Sequence, residues 1–187
     1  MLDRLKADVR TAKANDPAAT GTLAVLLTYP GLHAVWLHRL AHAAWGRGFT
    51  LTARLIAHFA RFATGVEIHP GATLGDRVFI DHGMGTVIGE TSVVGDDVQL
   101  YHGVTLGGKS SKPEKRHPTV CDGVTLGADS TLIGDITVGT EATVGAGAVV
   151  VDDVAPGTTV VGVPAEPVDE PDERLDGEVS CDDVIAA

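Results

Sequence analysis

Val124-Thr125-Leu126-Gly127-Ala128-Asp129-Ser130-Thr131-Leu132-Ile133-Gly134-Asp135-Ile136-Thr137-Val138-Gly139-Thr140-Glu141-Ala142-Thr143-Val144-Gly145 returns to an aliphatic residue every six positions, at Leu126, Leu132, Val138 and Val144, and the register runs on to Val150. Upstream, Ile68, Leu74 and Ile80 keep the same spacing; after a two-residue slip, so do Ile88, Val94, Leu100 and Leu106. Glycine follows the aliphatic at 75, 89, 95, 107, 127, 139 and 145, where a tight corner needs a residue without a Cβ. A six-residue period matches neither a helix at about 3.6 nor an alternating strand at about 2. The pattern therefore predicts a parallel β-helix of short faces, with one aliphatic per face pointing inward and stacking on its equivalents in adjacent coils. A glycine-rich disordered tract would not hold branched aliphatics in register.

Working outward, residues 1–63 read as a helical region. Asp3 to Lys13 forms a first helix, broken by Asn15-Asp16-Pro17. Thr22 to Thr28 forms a second, stopped by Pro30-Gly31, and Leu32 to Arg47 a third, ended by Gly48. Thr50 caps a fourth, with Leu51, Leu55, Phe59 and Phe62 along one stripe. Residues 64–165 form the coil domain. Leu106 and Leu126 stand twenty apart, two more than three hexads need, and no aliphatic lies from Gly107 to Pro118, so residues 107–118 are expected to leave the prism as a loop replacing part of a coil. Residues 166–187 hold nine acids and Arg174 as the lone base, so they supply -8 of the net charge of -11. They are expected to be a flexible, solvating tail.

With 187 residues the chain can bury a real core, and aromatics at 4% suit a solenoid filled by Val, Ile and Leu. The charged start Met1-Leu2-Asp3-Arg4 is not a secretory signal and no apolar run reaches membrane-spanning length, which places the protein in the cytoplasm with no membrane partner. No broad basic face exists, so nucleic acid is not an expected partner. Lys109, Lys112, Lys115 and Arg116 crowd the predicted loop with a single acid, Glu114; in an acidic protein such a loop suits a phosphorylated small molecule. Cys121 and Cys181 make neither a disulfide framework nor a metal pair, and read as buried or incidental thiols.

Eight histidines are present. His33, His38, His42 and His58 belong to the helical region, where packing is the plain reading, since His38 and His42 have no third metal ligand placed with them. His69 and His102 sit at corners and are ambiguous. His82 differs: Asp81-His82-Gly83-Met84-Gly85 is where the register slips, so its side chain is released from the regular wall, and breaks on a rigid scaffold are where catalytic groups tend to sit.

Asp16-Pro17-Ala18, Tyr29-Pro30-Gly31-Leu32-His33-Ala34, Thr64-Gly65-Val66-Glu67-Ile68-His69-Pro70-Gly71-Ala72, Ile80-Asp81-His82-Gly83-Met84-Gly85, Val87-Ile88-Gly89-Glu90-Thr91, Gly103-Val104-Thr105-Leu106-Gly107-Gly108, Arg116-His117-Pro118 and Val161-Gly162-Val163-Pro164-Ala165 together resemble the serine O-acetyltransferase family of the hexapeptide-repeat acyltransferases. The resemblance covers roughly residues 16–165. Hexads alone point only to the superfamily; the combination of DHGMG, VTLGG and RHP is much narrower.

What the resemblance implies is a left-handed parallel β-helix behind a small helical region, and acetyl transfer from acetyl-CoA to the hydroxyl of L-serine in cysteine biosynthesis. An alcohol attacks a thioester poorly unless its proton leaves as the bond forms, so a general base is required. By the family match His82 is that base, and Glu67 is the acid that fixes its tautomer, as in wider triad logic. Arg116 and His117 match the pair that holds the serine carboxylate; Asp16 and Asp81 match acids that meet the amino group. For CoA, Gly108, Ala128 and Ala146 match small positions along the pantetheine arm, while Lys109 and Lys112 are assigned to its phosphates on charge alone. The loop Lys109-Ser110-Ser111-Lys112-Pro113-Glu114-Lys115 departs from the GTGK pattern of many members. No metal is implied.

A homotrimer is the expected assembly, and a dimer of trimers the second choice. A loop projecting from one prism meets the flank of the next, so His82 and Glu67 are expected from one chain and Arg116 and His117 from its neighbour. Members that bind O-acetylserine sulfhydrylase end in isoleucine, whereas this chain ends Val184-Ile185-Ala186-Ala187, which argues against that complex. The competing readings are a relative acting on homoserine or another small alcohol, a left-handed β-helix carbonic anhydrase with zinc or iron held by His82, His102 and His117 across a trimer interface, and a non-catalytic scaffold. A scaffold has no need of His82 at a register break.

Overall fold

The structure, a computed structural model, describes residues 2–168. Most of the acidic tail, from residue 169 on, with Cys181 and the C-terminal residues read for partner binding, lies outside the described residues.

Four helices come first: α1 (Leu2–Asn15), α2 (Thr22–Thr28), α3 (Pro30–Trp45) and α4 (Thr50–Thr64). Pro30-Gly31 is the start of α3, not merely the stop of α2, because proline at a first helical position gives up an N–H that has no partner there. Gly31 lets that end of α3 lie backbone to backbone on the coil domain; a Cβ there would stand 2.0 Å from the Ile80 carbonyl oxygen. α4 follows Phe49 without a side-chain cap and closes on Gly65, whose φ is 73°. The stripe Leu51, Leu55, Phe59 and Phe62 does not feed the core of the chain: these residues are 59–86% exposed, and α4 buries Ala53, Ala60 and Thr64 instead. The helical core is Val9, Ala12, Val25 and Leu32 around Phe79, a residue of the coil domain that ties the two regions together.

The coil domain is built in turns of three short strands. The first is β1 (Glu67–Ile68), β2 (Thr73–Leu74) and β3 (Phe79–Ile80); the second β4 (Val87–Ile88), β5 (Val93–Val94) and β6 (Gln99–Leu100). The third is β7 (Thr105–Gly107), β8 (Thr119–Val120) and β9 (Thr125–Leu126); the fourth β10 (Thr131–Ile133), β11 (Thr137–Val138) and β12 (Thr143–Val144). The fifth holds β13 (Val149–Val150) and β14 (Thr159–Val161), and β15 (Glu166–Pro167) follows. The strands stack into three faces: β1-β4-β7-β10-β13, then β2-β5-β8-β11, then β3-β6-β9-β12-β14-β15. Every pairing between turns is parallel and in register, for example Ile88 with Leu106 and Leu106 with Leu132. Only β15 runs antiparallel, on β14. The predicted stack of inward aliphatics is the main core, with Ile88, Val94, Leu100, Leu106, Leu126, Leu132, Val138 and Val144 at 0–1% exposure.

Three details differ from the sequence expectation. The corner glycines are set by crowding between turns: a Cβ on Gly127 would stand 2.6 Å from Ala146 N, and one on Gly139 2.5 Å from Pro156 N. Left-handed backbone appears two residues later, at Arg77, Asp97, Asp129 and Glu141 as well as at glycines. Second, Val120 carries the register, pairing with Val94 and Val138. The loop is therefore an insertion rather than a replaced piece of coil, since Thr105 pairs with Thr131, twenty-six positions on, where Val87 pairs with Thr105 at eighteen. Third, residues 166–168, placed in the tail on sequence, fold back on the last turn, with Val168 N–H donating to the Thr159 carbonyl at 2.9 Å. No helix among the described residues is long and apolar enough to cross a membrane.

Candidate active site

Two edges of the prism concentrate the chemistry. One, the base corner, joins the third face to the first, between β3 and β4; the two-residue slip falls here, since Phe79 pairs with Gln99 and Glu67 with Val87, both at twenty positions. The extra chain is accommodated by left-handed backbone at His82 (φ 60°), Gly83 (76°) and Gly85 (80°). For histidine that conformation is uncommon and costs on the order of 1 kcal/mol, held here by the surrounding turns. The His82 side chain is 76% exposed, with Nε2 3.9 Å from Asp81 Oδ2. Its ring stands 6.0 Å from that of His102, nearly perpendicular at 87°.

The helical region brings Asp16 to this corner. The Tyr29 hydroxyl donates to Asp16 Oδ2, and the Ala18 N–H donates to Oδ1 at 2.7 Å. The bond from Tyr29, then that from Ala18, holds the Asp16 carboxyl below the usual carboxylate range, and His82 is close enough to act in the same direction. Tyr29 is pushed up to about 12, first by the bond to Asp16 and then by burial, with the charges of Asp16 and Asp81 adding to it. Asp16, Tyr29 and Asp81 are thus gathered beside the exposed His82 imidazole at one corner. Below it the corner narrows to small residues. Asp129 N–H donates to the His102 carbonyl at 2.9 Å and Gly147 N–H to that of Ala128 at 2.8 Å, which stacks His102, Ala128 and Ala146 in one column.

The other edge, the anchor corner, joins the first face to the second and bears the loop between β7 and β8. His117 is buried at 6% exposure. Thr91 N–H donates to His117 Nδ1 at 3.2 Å, so Nδ1 is the acceptor and Nε2 carries the proton. The Arg116 backbone N–H donates to Thr91 Oγ1 at 3.0 Å; its Nη2 donates to Glu90 Oε2 and its Nη1 to the Ser110 carbonyl, both at 3.1 Å. Among the described residues Arg116 Nε is buried without a partner. Burial, followed by the positive charges of Arg116 and Lys115, holds His117 below the usual histidine range. Burial does the same to His69, with Glu90 opposing. Gly89 makes room for the imidazole: a Cβ there would lie 2.0 Å from His117 Cδ2. Gly108 faces the same pair, its Cβ direction 3.1 Å from His117 Nε2 and 3.3 Å from Arg116 Nη1.

Glu67 opens β1 on the first face, half exposed, with Oε2 3.0 Å from Arg61 Nη1. It lines a cleft of about 360 Å³ with Arg54, His58 and His69. Among the described residues no ion pair joins Glu67 to His82, so the expected dyad is not formed within the single chain. Lys109 and Lys112 lie on the exposed loop, where Lys112 N–H donates to Ser110 Oγ at 3.1 Å. Within the chain His82 and His102 share one corner and His117 lies at another.

Of the expected site residues, then, the chain gathers Asp16, Asp81 and His82 above Ala128 and Ala146, and separately gathers Gly108, Arg116 and His117. Tyr29, Arg61, Gly89, Glu90 and Thr91 were not singled out individually from the sequence, although all but Arg61 lie in or beside the quoted motifs. A stacked hexad prism with an exposed histidine at a register break and a cationic loop on another edge is the frame of a hexapeptide-repeat acyltransferase.

No family model matches the chain. The chain is 55% identical to the serine acetyltransferase of Mycobacterium tuberculosis over 166 residues, covering 89% of this chain and 72% of that protein. Among solved structures it is similar to the serine acetyltransferase of Neisseria gonorrhoeae in complex with serine, with a TM-score of 0.86 and 41% identity over 89% of this chain and 68% of that one. It is similar also to the enzyme of Brucella abortus in complex with coenzyme A, at a TM-score of 0.86 and 37% identity over 96% and 68% of the two chains. The chain belongs to the serine acetyltransferase family.

Proposed function

We propose that this chain transfers the acetyl group of acetyl-CoA to the hydroxyl of L-serine, giving O-acetyl-L-serine and CoA, as a cytoplasmic step of cysteine biosynthesis. The observation that carries the reading is the base corner: an exposed imidazole on strained backbone, with Asp16 and Asp81 beside it and a small-residue track below. His82 takes the proton of the serine hydroxyl as the oxygen attacks the thioester carbon, and returns it to the departing thiolate. Asp16 and Asp81 hold the ammonium group; Tyr29 keeps Asp16 ionised and oriented for it. The pantetheine arm lies along Ala128 and Ala146, where no side chain extends past Cβ, and Lys109 and Lys112 meet its phosphates.

The serine carboxylate is held by Arg116 and His117. These sit on a different edge from His82, so the site is completed between copies of a homotrimer, each interface joining the base corner of one chain to the anchor corner of the next. Glu67 supplies the acid that steadies the protonated imidazole once the interface and substrate are in place; within one chain it rests on Arg61, and Asp81 is the nearer carboxylate. The test is to mix purified protein with acetyl-CoA and a panel of amino acids and follow release of the CoA thiol. Turnover with L-serine well above homoserine is expected; equal or faster turnover with homoserine would move the assignment to the alternative substrate.

A further inference from the structure

Acetyl transfer as described leaves His102 of the base corner without a task, although its place is specific. Its ring stands 6.0 Å from that of His82 and nearly perpendicular to it. It also heads the column whose next members are Ala128 and Ala146, bonded turn to turn through the backbone. Turns are about 4.8 Å apart, so a thioester lying on the track with its carbon within reach of a hydroxyl at His82 must pass over His102. Among the described residues its Nδ1 is buried with no partner. A proton there would be a desolvated donor without an acceptor, so the tautomer with the proton on Nε2 is the favoured one.

We propose that His102 is a second catalytic histidine, donating its Nε2–H to the thioester oxygen as negative charge gathers on it. The proposal rests on the acetyl-transfer reading above. The serine oxygen forms the new C–O bond as His82 takes its proton, and the C=O π pair moves onto the thioester oxygen, which accepts from His102. The pair then returns, the C–S bond breaks, and the His82 imidazolium gives its proton to the thiolate. His102 keeps its proton throughout, so the step balances without another reactant.

Two variants separate a donor from a packing ring. His102→Gln keeps an N–H donor and loses the aromatic contact; His102→Phe keeps the ring and loses the donor. Removal of an oxyanion donor typically costs on the order of 10²- to 10³-fold in turnover. The expected result is that His102→Phe loses roughly 10²-fold or more in kcat with the KM for acetyl-CoA nearly unchanged, while His102→Gln stays within about tenfold of wild type. Thermal melting and assembly size are measured beside the kinetics, and His102→Leu is the second donorless variant if the phenylalanine form does not fold. Full turnover in a folded donorless variant, or equal loss in the glutamine and donorless forms, overturns the proposal. Wild-type protein on the same plate keeps the two claims apart: if it fails to acetylate serine the functional reading falls, whereas an active wild type beside an active His102→Phe removes only the role of His102.

Discussion

The base corner and the anchor corner are edges of one prism and are built in opposite ways. At the first, extra chain pushes His82 out of the wall onto left-handed backbone with most of its side chain in solvent. At the second, His117 is buried, tied to Thr91, and packed so closely on Gly89 that no Cβ fits beneath it. A proton-transferring group must reach substrate and change charge, which favours exposure; a carboxylate-binding group must not move, which favours burial and bonds that fix its position. The difference is that between a reacting half-site and a holding half-site, and neither edge has what the other supplies.

The sharpest way to break this comparison is at the reacting half. His82→Ala is expected to lose on the order of 10²- to 10⁴-fold in turnover with little change in acetyl-CoA affinity, as measured by steady-state kinetics and CoA titration; retention of more than half the turnover would take His82 out of the mechanism. Arg116→Ala should show the opposite signature. A charge-assisted bond of about 1.5–3 kcal/mol corresponds to a rise of roughly 10- to 100-fold in the KM for serine, with a smaller change in kcat. A kcat collapse at constant KM would mean that Arg116 belongs to the reacting half.

Gly89→Ala sharpens the holding half without touching a charged group. The new methyl displaces the His117 ring, and overpacking of this kind typically costs about 1–3 kcal/mol. Serine KM should rise while turnover at saturating serine survives; an unchanged KM would show that the ring position is not critical.

A smaller effect concerns α3 where it covers the corner between β1 and β2, on the anchor edge. His38, on α3 and 3% exposed, is lowered to about 3, first by burial and then by the charge of His42, with Arg39 and His69 adding to it and the bond to the Ala72 carbonyl opposing. Its folded form resists a proton that the unfolded chain takes up near pH 6.5, so its contribution is complete above that pH and is lost as pH falls toward 3. At pH 5 the loss is about 2 kcal/mol. Urea unfolding at pH 7.5 and pH 5 should show it, and His38→Gln should flatten the dependence; an equally steep dependence in that variant would assign it to other groups.

The hexad register made the prism legible, because each inward aliphatic answers to partners at a fixed sequence interval, and the slip at Asp81-His82-Gly83 was visible as a break in that interval. Contacts without an interval were not. The Tyr29–Asp16 bond and the Gly31–Ile80 approach depend on how the helices dock on the first turn. The stripe on α4 has a helical period, yet periodicity does not say which body covers it, and among the described residues none does. That the loop is inserted rather than a replacement for part of a coil is hidden in the sequence, because Val120 follows a Pro-Thr pair with no glycine after it to mark its place in the register. The pairing of Glu67 with Arg61 is not legible in the sequence, because Arg61 lies on a helix whose rotation the coil pattern leaves open.

Whether the two corners make one site across a subunit boundary is tested most directly by mixing the two impaired halves. His82→Ala and Arg116→Ala chains are unfolded together, refolded as a mixture, and assayed for CoA thiol release from acetyl-CoA and serine held below the wild-type KM, where the raised KM leaves Arg116→Ala at about a tenth of wild type or less, with each variant refolded alone as control. Random assembly of a closed trimer places an intact base corner against an intact anchor corner at about a quarter of the interfaces, so activity should return to about a quarter of wild type. If the co-refolded material matches wild-type size and coil structure yet stays as inactive as either parent, both halves serve within one chain and the shared site is wrong.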